Sequence, residues 1–150
     1  MIDSGLLCST RADPENKIIT FGGGFTWKDI ANKAWKYALA SVGGVFYVTG
    51  VGGLSLGGDY GWFTLKHGLV CNNLPAAELV LADGGIVNMS ESENSDLFLG
   101  SMKSFSVTTS FTLHSHKQQD VYTGFAVLPL GAISAVADFN NPLPPQASGL

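Results

Sequence analysis

Six glycines stand among thirteen residues in the segment G-V-G-G-L-S-L-G-G-D-Y-G-W, residues 50–62. Glycine inside a helix or strand costs about 0.5–1 kcal/mol relative to alanine, so local stability does not explain such a run. Two interpretations remain. The segment is a structural turn that needs the backbone freedom, or its N–H groups and bare Cα atoms lie against a flat or anionic ligand. Composition favours neither of them.

Two common nucleotide-binding motifs do not fit this segment. The Rossmann pattern G-x-G-x-x-G fails because Ser55 stands where its third glycine should be, and no long amphipathic helix follows. A P-loop is also excluded, because no Gly-Lys-Ser/Thr follows the glycines. A ligand here is therefore bound by some other glycine-rich arrangement.

Longer stretches around the segment carry a family resemblance. The core pattern is G-V-G-G-L-x-L-G-G-x-x-G-W, followed by K-x-G-L-x-C-x-N-L at residues 66–74. With D-P-E-N-K-I-I-T-F-G-G-G before it and S-V-T-T-S-F-T-L-H-S-H after it, the chain resembles FAD-linked oxidases of the berberine-bridge-enzyme-like type. These proteins carry a PCMH-type, vanillyl-alcohol-oxidase-like flavin domain. The resemblance extends from about Ile2 to beyond Leu130 and implies a domain truncated at both ends.

The resemblance implies that the glycine segment passes beside the flavin of FAD, where its main chain contacts the cofactor. Asn73 is a weaker member of the same set. The expected cofactor-binding residues are Gly50, Val51, Gly52, Gly53, Leu56, Gly57, Gly58, Tyr60, Gly61 and Asn73.

Three departures from the family weaken the expected hold on FAD. The family's anchoring histidine lies upstream of Met1, and Phe46 stands where some relatives have a cysteine that bonds the flavin. Asp59 replaces a family glycine, so either its carboxylate points away from the anionic cofactor or FAD binding is weakened. We therefore expect FAD to bind non-covalently and weakly, if at all. The family's acid/base side chains come from a later sheet, so no catalytic residue is assigned.

Composition excludes several other classes of partner. With 45% hydrophobic and 13% charged residues the chain should form a core, and its net charge of −4 with scattered lysines argues against nucleic acid. Nowhere does an apolar run reach membrane-spanning length, and no signal peptide is recognisable, so we expect a soluble chain of unknown compartment. Cys8 and Cys71 lack the spacing of a metal site, and no metal is expected.

Local patterns predict the elements that position the segment. Thr26, with Asp29 in the capping-box position, should begin a helix over 26–40 whose apolar face repeats at helical spacing. That face consists of Trp27, Ile30, Ala31, Ala34 and Ala38.

Strands account for most of the remaining chain. A hairpin over 77–90 should turn at Asp83-Gly84-Gly85. Residues 105–113 alternate as a half-buried strand, with one face formed by Phe105, Val107, Thr109, Phe111 and Leu113. Further strands are predicted at 17–24 and 121–128, a helix at 130–139, and a Pro-rich tail at 140–150. The fold class is α+β, a mainly antiparallel sheet with flanking helices that resembles the second subdomain of a PCMH-type domain, here residues 1–139.

Three functional hypotheses follow. By resemblance the chain is an oxidoreductase that moves a hydride from an alcohol, amine or activated C–H of a small substrate to flavin and then to oxygen. Alternatively it is a truncated, non-catalytic relative that binds a ligand or partner. A weaker third interpretation is a non-redox use of the same pocket. The flavin face of a truncated domain should also self-associate through its apolar side chains, which are Leu54, Leu56, Tyr60, Trp62 and Phe63.

Overall fold

The computed structural model describes residues 2–95, 106–121 and 127–140. The chain forms two compact units, Met1–Gln119 and Asp120–Leu150. In the first unit the strands are β1 (Thr10–Asp13), β2 (Ile18–Gly22), β3 (Leu39–Ser41), β4 (Ala76–Leu81), β5 (Ile86–Ser90) and β6 (Ser106–Lys117). Its helices are α1 (Trp27–Trp35), α2 (Val51–Ser55) and α3 (Thr64–His67), with a 3-10 turn at Cys71–Asn73.

The strands form a sheet in the order β1-β2-β6-β4-β5, with β3 also paired to β6. Every pairing is antiparallel. The predicted hairpin is confirmed: Val80 pairs with Ile86, and Gly84 occupies the turn with a φ of +86°. The Asp83 carboxylate accepts the Gly85 N–H at 2.8 Å, which supplies the turn with a local hydrogen bond.

One face of β6 differs from the prediction. Phe111 and Leu113 are buried as expected, but upstream of them Thr108 is buried and Thr109 is not, while Phe105 lies outside the described residues. The pairing with β4 shifts register between Glu78 and Leu79, and this irregularity moves the upstream side chains to the opposite face. The displaced Thr109 hydroxyl donates to Glu78 Oε1 at 2.6 Å.

Helix α1 begins where predicted and ends earlier. Trp27, Ile30 and Ala34 are buried, as predicted, whereas Ala31 and Ala38 are exposed. The helix stops at Trp35 because Ala38 takes a positive φ of 52° and the next three residues join β6 as β3. The prediction of a helix to residue 40 is therefore wrong.

The start of α1 depends on Asp29. Its carboxylate accepts hydrogen bonds from the Thr26 hydroxyl at 2.6 Å and the Thr26 N–H at 3.0 Å, and these bonds lower the pKa of Asp29. We expect Asp29→Ala to reduce the free energy of unfolding by about 1 kcal/mol, measured by urea denaturation. The exposed Asn32 of the same helix provides the control, since Asn32→Ala should change stability by less than about 0.5 kcal/mol. Equal losses in the two variants would contradict a capping role.

The core lies between the sheet and α1. Phe21 of β2 stacks on Phe111 of β6 with ring centroids 5.8 Å apart, and the Trp27 ring meets Phe21 edge-on at 6.3 Å. Val51 of α2 and Leu79 of β4 are fully buried in the same cluster. The core therefore fixes α1 and the start of the glycine segment against the same sheet.

The second unit contains a 3-10 turn at Leu130–Ala132 and helix α4 (Ile133–Asn140), which agrees with the helix predicted after Pro129. The strand predicted at 121–128 falls mostly outside the described residues, and its described positions, Val121, Val127 and Leu128, are not in a strand. The predicted tail lies outside the described residues beyond Asn140, so the domain boundary at 139 stays a prediction. Within the described ranges, no helix combines the length and apolar character needed to cross a bilayer.

Candidate functional site

The glycine segment is fastened to the fold at both ends. Gly50 forms an isolated bridge with Thr26, and the Val51 N–H donates to the Phe25 carbonyl at 3.0 Å. At the other end Gly58 and Asp59 have positive φ angles of 99° and 45°, and their carbonyls accept the N–H groups that follow α3. Between these ends lies the one short helix α2, which the sequence did not predict.

An open cleft of about 720 Å³ lies along the segment. Its volume falls within the usual range for small-molecule and cofactor sites. The cleft is lined by Gly44, Val45, Phe46, Thr49, Gly53, Leu54, Gly57, Gly58, Asp59, Tyr60 and Leu69. A smaller cleft of about 230 Å³ contains Gly52 and Leu56, together with Gly23, Thr108 and Phe111. The Thr108 hydroxyl in this smaller cleft is buried and has no hydrogen-bond partner among the described residues.

The structure thus divides the predicted cofactor-binding set. Gly53, Gly57, Gly58 and Tyr60 line the large cleft, and Gly52 and Leu56 line the small one. The remaining four residues line neither of these two clefts. Gly50 is exposed, and the Val51 side chain is buried in the core. Gly61 is buried against Gly43, and Asn73 is buried with its amide bonded to the last residue of α3.

The space around each glycine shows whether close packing of the main chain requires glycine there or whether the position is open to a ligand. A Cβ at Gly61 would overlap the Gly43 carbonyl, so close packing of the main chain requires glycine there. A Cβ at Gly50 or Gly53 would have no atom within 4 Å, so packing imposes no such requirement. The bare Cα of Gly53 on the cleft wall leaves the room that a flat ring needs to approach the main chain. The large cleft therefore fits a flat cofactor such as a flavin.

Asp59 turns its carboxylate back onto the chain. Oδ1 accepts the Tyr60 N–H at 2.8 Å, and Oδ2 is buried towards Gly44 and the Trp27 indole. Burial raises the pKa of Asp59, and the Tyr60 N–H and the Trp27 indole oppose that rise. Neither Oδ2 nor Trp27 Nε1 makes a hydrogen bond of ordinary geometry within the described residues, so the indole attracts the carboxylate only weakly. Of the two alternatives for Asp59, this geometry favours the one that directs its charge away from the cleft.

Side chains near the cleft have limited chemistry of their own. Phe46 is 74% exposed on the cleft wall, and Cys71 lies behind Gly58 as a free thiol. Among the described residues, no group of three or more His, Cys, Asp or Glu is arranged to hold a metal ion.

Sequence reasoning missed a histidine pair. The rings of His67 on α3 and His116 on β6 stack with centroids 3.6 Å apart and an interplanar angle of 8°. Asn73, predicted as a weak cofactor ligand, uses its amide here: Oδ1 lies 2.9 Å from His116 Nε2, and Nδ2 donates to the carbonyls of His67 and Leu69. In the sequence, the signal for this position was the alternation of side chains along β6, which places His116 on the opposite face of the strand from the buried Ser115.

Aromatic side chains line a third opening. This cleft of about 410 Å³, here called the aromatic cleft, is lined by Trp27, Trp35, Tyr47, Trp62 and Phe63. Trp62 and Tyr60 are 80% and 59% exposed, whereas Leu54, Leu56 and Phe63 pack partly against the core. The apolar face predicted for self-association is thus smaller than expected, and self-association stays a prediction.

Comparison with known proteins identifies similar chains. A family model described as FAD binding domain matches residues 4–90. The FAD-linked oxidoreductase pgmH of Aspergillus terreus is 39% identical over 125 residues, covering 81% of this chain and 25% of that protein. Two solved structures each superpose on 75% of this chain with a TM-score of 0.72. They are 6-hydroxy-D-nicotine oxidase from Arthrobacter nicotinovorans, at 32% identity and 25% of its length, and BBE-like 1 from Physcomitrella patens, at 25% identity and 26% of its length. The chain therefore spans about a quarter of the length of these proteins.

Proposed function

This chain belongs to the FAD binding domain family, among the berberine-bridge-enzyme-like FAD-linked oxidoreductases, and from that premise we propose that its glycine-lined cleft binds FAD. Its α+β fold, a mainly antiparallel sheet with a few helices, is the PCMH-type fold of those proteins. The observation that carries the proposal is the empty space over Gly53 on the wall of the large cleft.

In this proposal the main chain does the binding. Gly53, Gly57 and Gly58 offer bare Cα atoms on the cleft wall, and the short α2 holds the first of them in place. Tyr60 is exposed beside them and supplies an aromatic ring at the cleft edge. The expected binding is non-covalent because Phe46 provides no thiolate to bond the flavin, and weak because the cleft is open to solvent.

When bound, FAD supplies two-electron redox chemistry. We propose that the activity is oxidation of an alcohol, amine or activated C–H in a small substrate, with oxygen as the final acceptor. The relative named 6-hydroxy-D-nicotine oxidase supports the small-molecule class of substrate. The chain's own contribution is to bind and orient the cofactor. A non-catalytic binding role remains the second candidate, because the chain spans about a quarter of its relatives.

We expect FAD to raise the thermal unfolding midpoint of the full chain, and Gly53→Val to abolish the rise. A ligand that binds only the folded protein stabilises it by about 2.7 kcal/mol at a hundredfold excess over Kd. The valine side chain would occupy the space above the cleft wall without striking any protein atom within 4 Å of its Cβ. The measurement is a series of melting curves from micromolar to millimolar FAD.

Gly131→Val is the matched control, because a Cβ at Gly131 also has no atom within 4 Å. Its melting curves should shift with FAD as those of the unmodified chain do. An unchanged shift in Gly53→Val would place FAD elsewhere, and flavin retained by acid-precipitated protein would contradict non-covalent binding. FAD binding without peroxide formation from any alcohol or amine supplied would favour the non-catalytic role.

A further inference from the structure

His67, His116 and Asn73 form a cluster, here called the histidine stack, whose proton positions follow from its hydrogen bonds. Asn73 Nδ2 donates to the His67 carbonyl at 2.8 Å and to the Leu69 carbonyl at 2.9 Å. Both amide protons are thereby used, so Oδ1 must accept, and His116 Nε2 must carry the proton it donates over 2.9 Å. A neutral His116 satisfies this arrangement with its Nδ1 unprotonated.

The surroundings of the stack disfavour additional protons. Burial lowers the pKa of His116 to about 4, and the positive charges of His67, His114, Lys17 and Lys66 act in the same direction. Burial also lowers the pKa of His67, with a further contribution from Lys66. These groups come from α3, β6 and the turn before β2, while β3 places only Ala40 opposite His116. Within the part of the chain that the structure describes, no carboxylate acts on either ring.

A short piece of chain connects the stack to the large cleft. Asn73 fixes the carbonyls of His67 and Leu69, and Leu69 itself lines the cleft. The next two N–H groups then hold the cleft wall: Val70 donates to the Asp59 carbonyl at 3.4 Å and Cys71 to the Gly58 carbonyl at 3.3 Å. These bonds support two residues with positive φ, and without them the wall loses its connection to the 3-10 turn.

We propose that the histidine stack is a pH-sensitive connection: proton uptake by its rings releases residues 64–73 from β6 and loosens the Gly58–Asp59 wall of the cleft. The proposal goes beyond FAD binding and holds whether or not a cofactor is present. A charged ring in the stack would lie 3.6 Å from a second imidazole and close to two lysines, and no carboxylate of the described residues compensates it.

The direction of the pH effect follows from proton linkage. In the intact stack the pKa values of His67 and His116 are lowered, that of His116 to about 4, whereas in the released form they return to about 6.5. The released form therefore binds more protons between about pH 4 and pH 6.5. The stack is therefore fully stable above about pH 6.5 and is progressively lost as the pH falls towards 4. Acid should loosen the cleft wall, and neutral pH should restore it.

Amide hydrogen exchange of the full chain tests this inference. Protection factors, corrected for the intrinsic pH dependence of exchange, should fall roughly tenfold at the Val70 and Cys71 amides between about pH 7 and pH 5. Amides of the β2–β6 ladder should change much less over the same range. In His116→Gln, whose amide can still donate to Asn73 but does not titrate, the loss of protection at the two amides should be smaller, because only His67 still takes up a proton.

His114→Gln is the control, since this exposed neighbour on β6 lies outside the stack and should leave the acid-induced loss intact. Should His116→Gln fail to fold, an NMR titration of the unmodified chain replaces it. The His67 and His116 rings should then titrate together with the loss of protection at Val70. Constant protection in the unmodified chain, or an equal loss in His116→Gln, would overturn the inference, as would ring titrations that do not coincide with the loss at Val70.

Discussion

Replacing Gly61 with alanine is expected to destabilise the first unit by on the order of 3 kcal/mol or more. The added Cβ would overlap the Gly43 carbonyl and lie 2.9 Å from the Gly43 carbonyl carbon, so only a backbone shift could accommodate it. That backbone carries Gly43 and Gly44, which are packed against the Trp27 ring and have little room to move. Urea denaturation should show a lower transition midpoint, or little folded protein at all.

Gly53→Ala is the matched control from the same segment. Its Cβ meets no atom within 4 Å, and alanine is the better residue in helix α2, so stability should be unchanged or slightly higher. A loss comparable to that of Gly61→Ala would contradict the division between packing glycines and cleft glycines. Equal tolerance at both positions would contradict it as well.

Elements with local causes could be predicted from the sequence. Asp83-Gly84-Gly85 determines the turn of the β4–β5 hairpin, and Asp29 marks the start of α1, because both depend on hydrogen bonds between near neighbours. The end of α1 could not be predicted, since Leu39–Ser41 leaves the helix to pair with a strand far along the chain. The buried face of β6 likewise depends on a register shift that only its partner β4 reveals.

The same limit applies to the candidate site. The resemblance indicated the glycine segment as the place where FAD binds, but it treated all the glycines as equivalent. Gly61 differs from Gly53 because it packs against Gly43, which belongs to a different loop. Asn73 belongs to the histidine stack because its amide oxygen accepts a hydrogen bond from His116. Such distinctions arise from contacts between distant residues, for which a single sequence carries no pattern.

The Trp27 side chain packs directly against the main chain that forms part of the cleft wall. Its side chain is 4% exposed, its ring meets Phe21 edge-on, and both Gly43 and Gly44 pack directly against it. Gly44 lines both the large cleft and the aromatic cleft. The ring also lies beside the buried carboxylate oxygen of Asp59, so its loss would remove the indole that faces that charge.

We expect Trp27→Ala to cost about 3–5 kcal/mol, by loss of buried surface and creation of a cavity. We further expect this cost to be coupled to Gly43. In the unmodified chain a Cβ at Gly43 would lie 2.5 Å from Trp27 Cε3, so Gly43→Ala should itself cost about 1–3 kcal/mol. Once the indole is absent that clash disappears, so the double variant should be more stable than the sum of the two losses predicts, by about 1 kcal/mol or more.

A double-mutant cycle measured by urea denaturation decides the matter, with Trp27→Ala paired to Gly131→Ala as the additive reference. No atom lies within 4 Å of a Cβ at Gly131, so those two changes should sum within about 0.5 kcal/mol. Strict additivity for Trp27 and Gly43 would mean that the backbone at Gly43 yields easily, and the indole would then not support the cleft wall. A measured coupling would show that the shape of the cleft depends on one tryptophan packed against two glycines, since Trp27 supplies the three atoms nearest to a Cβ at Gly43 and the two nearest to a Cβ at Gly44.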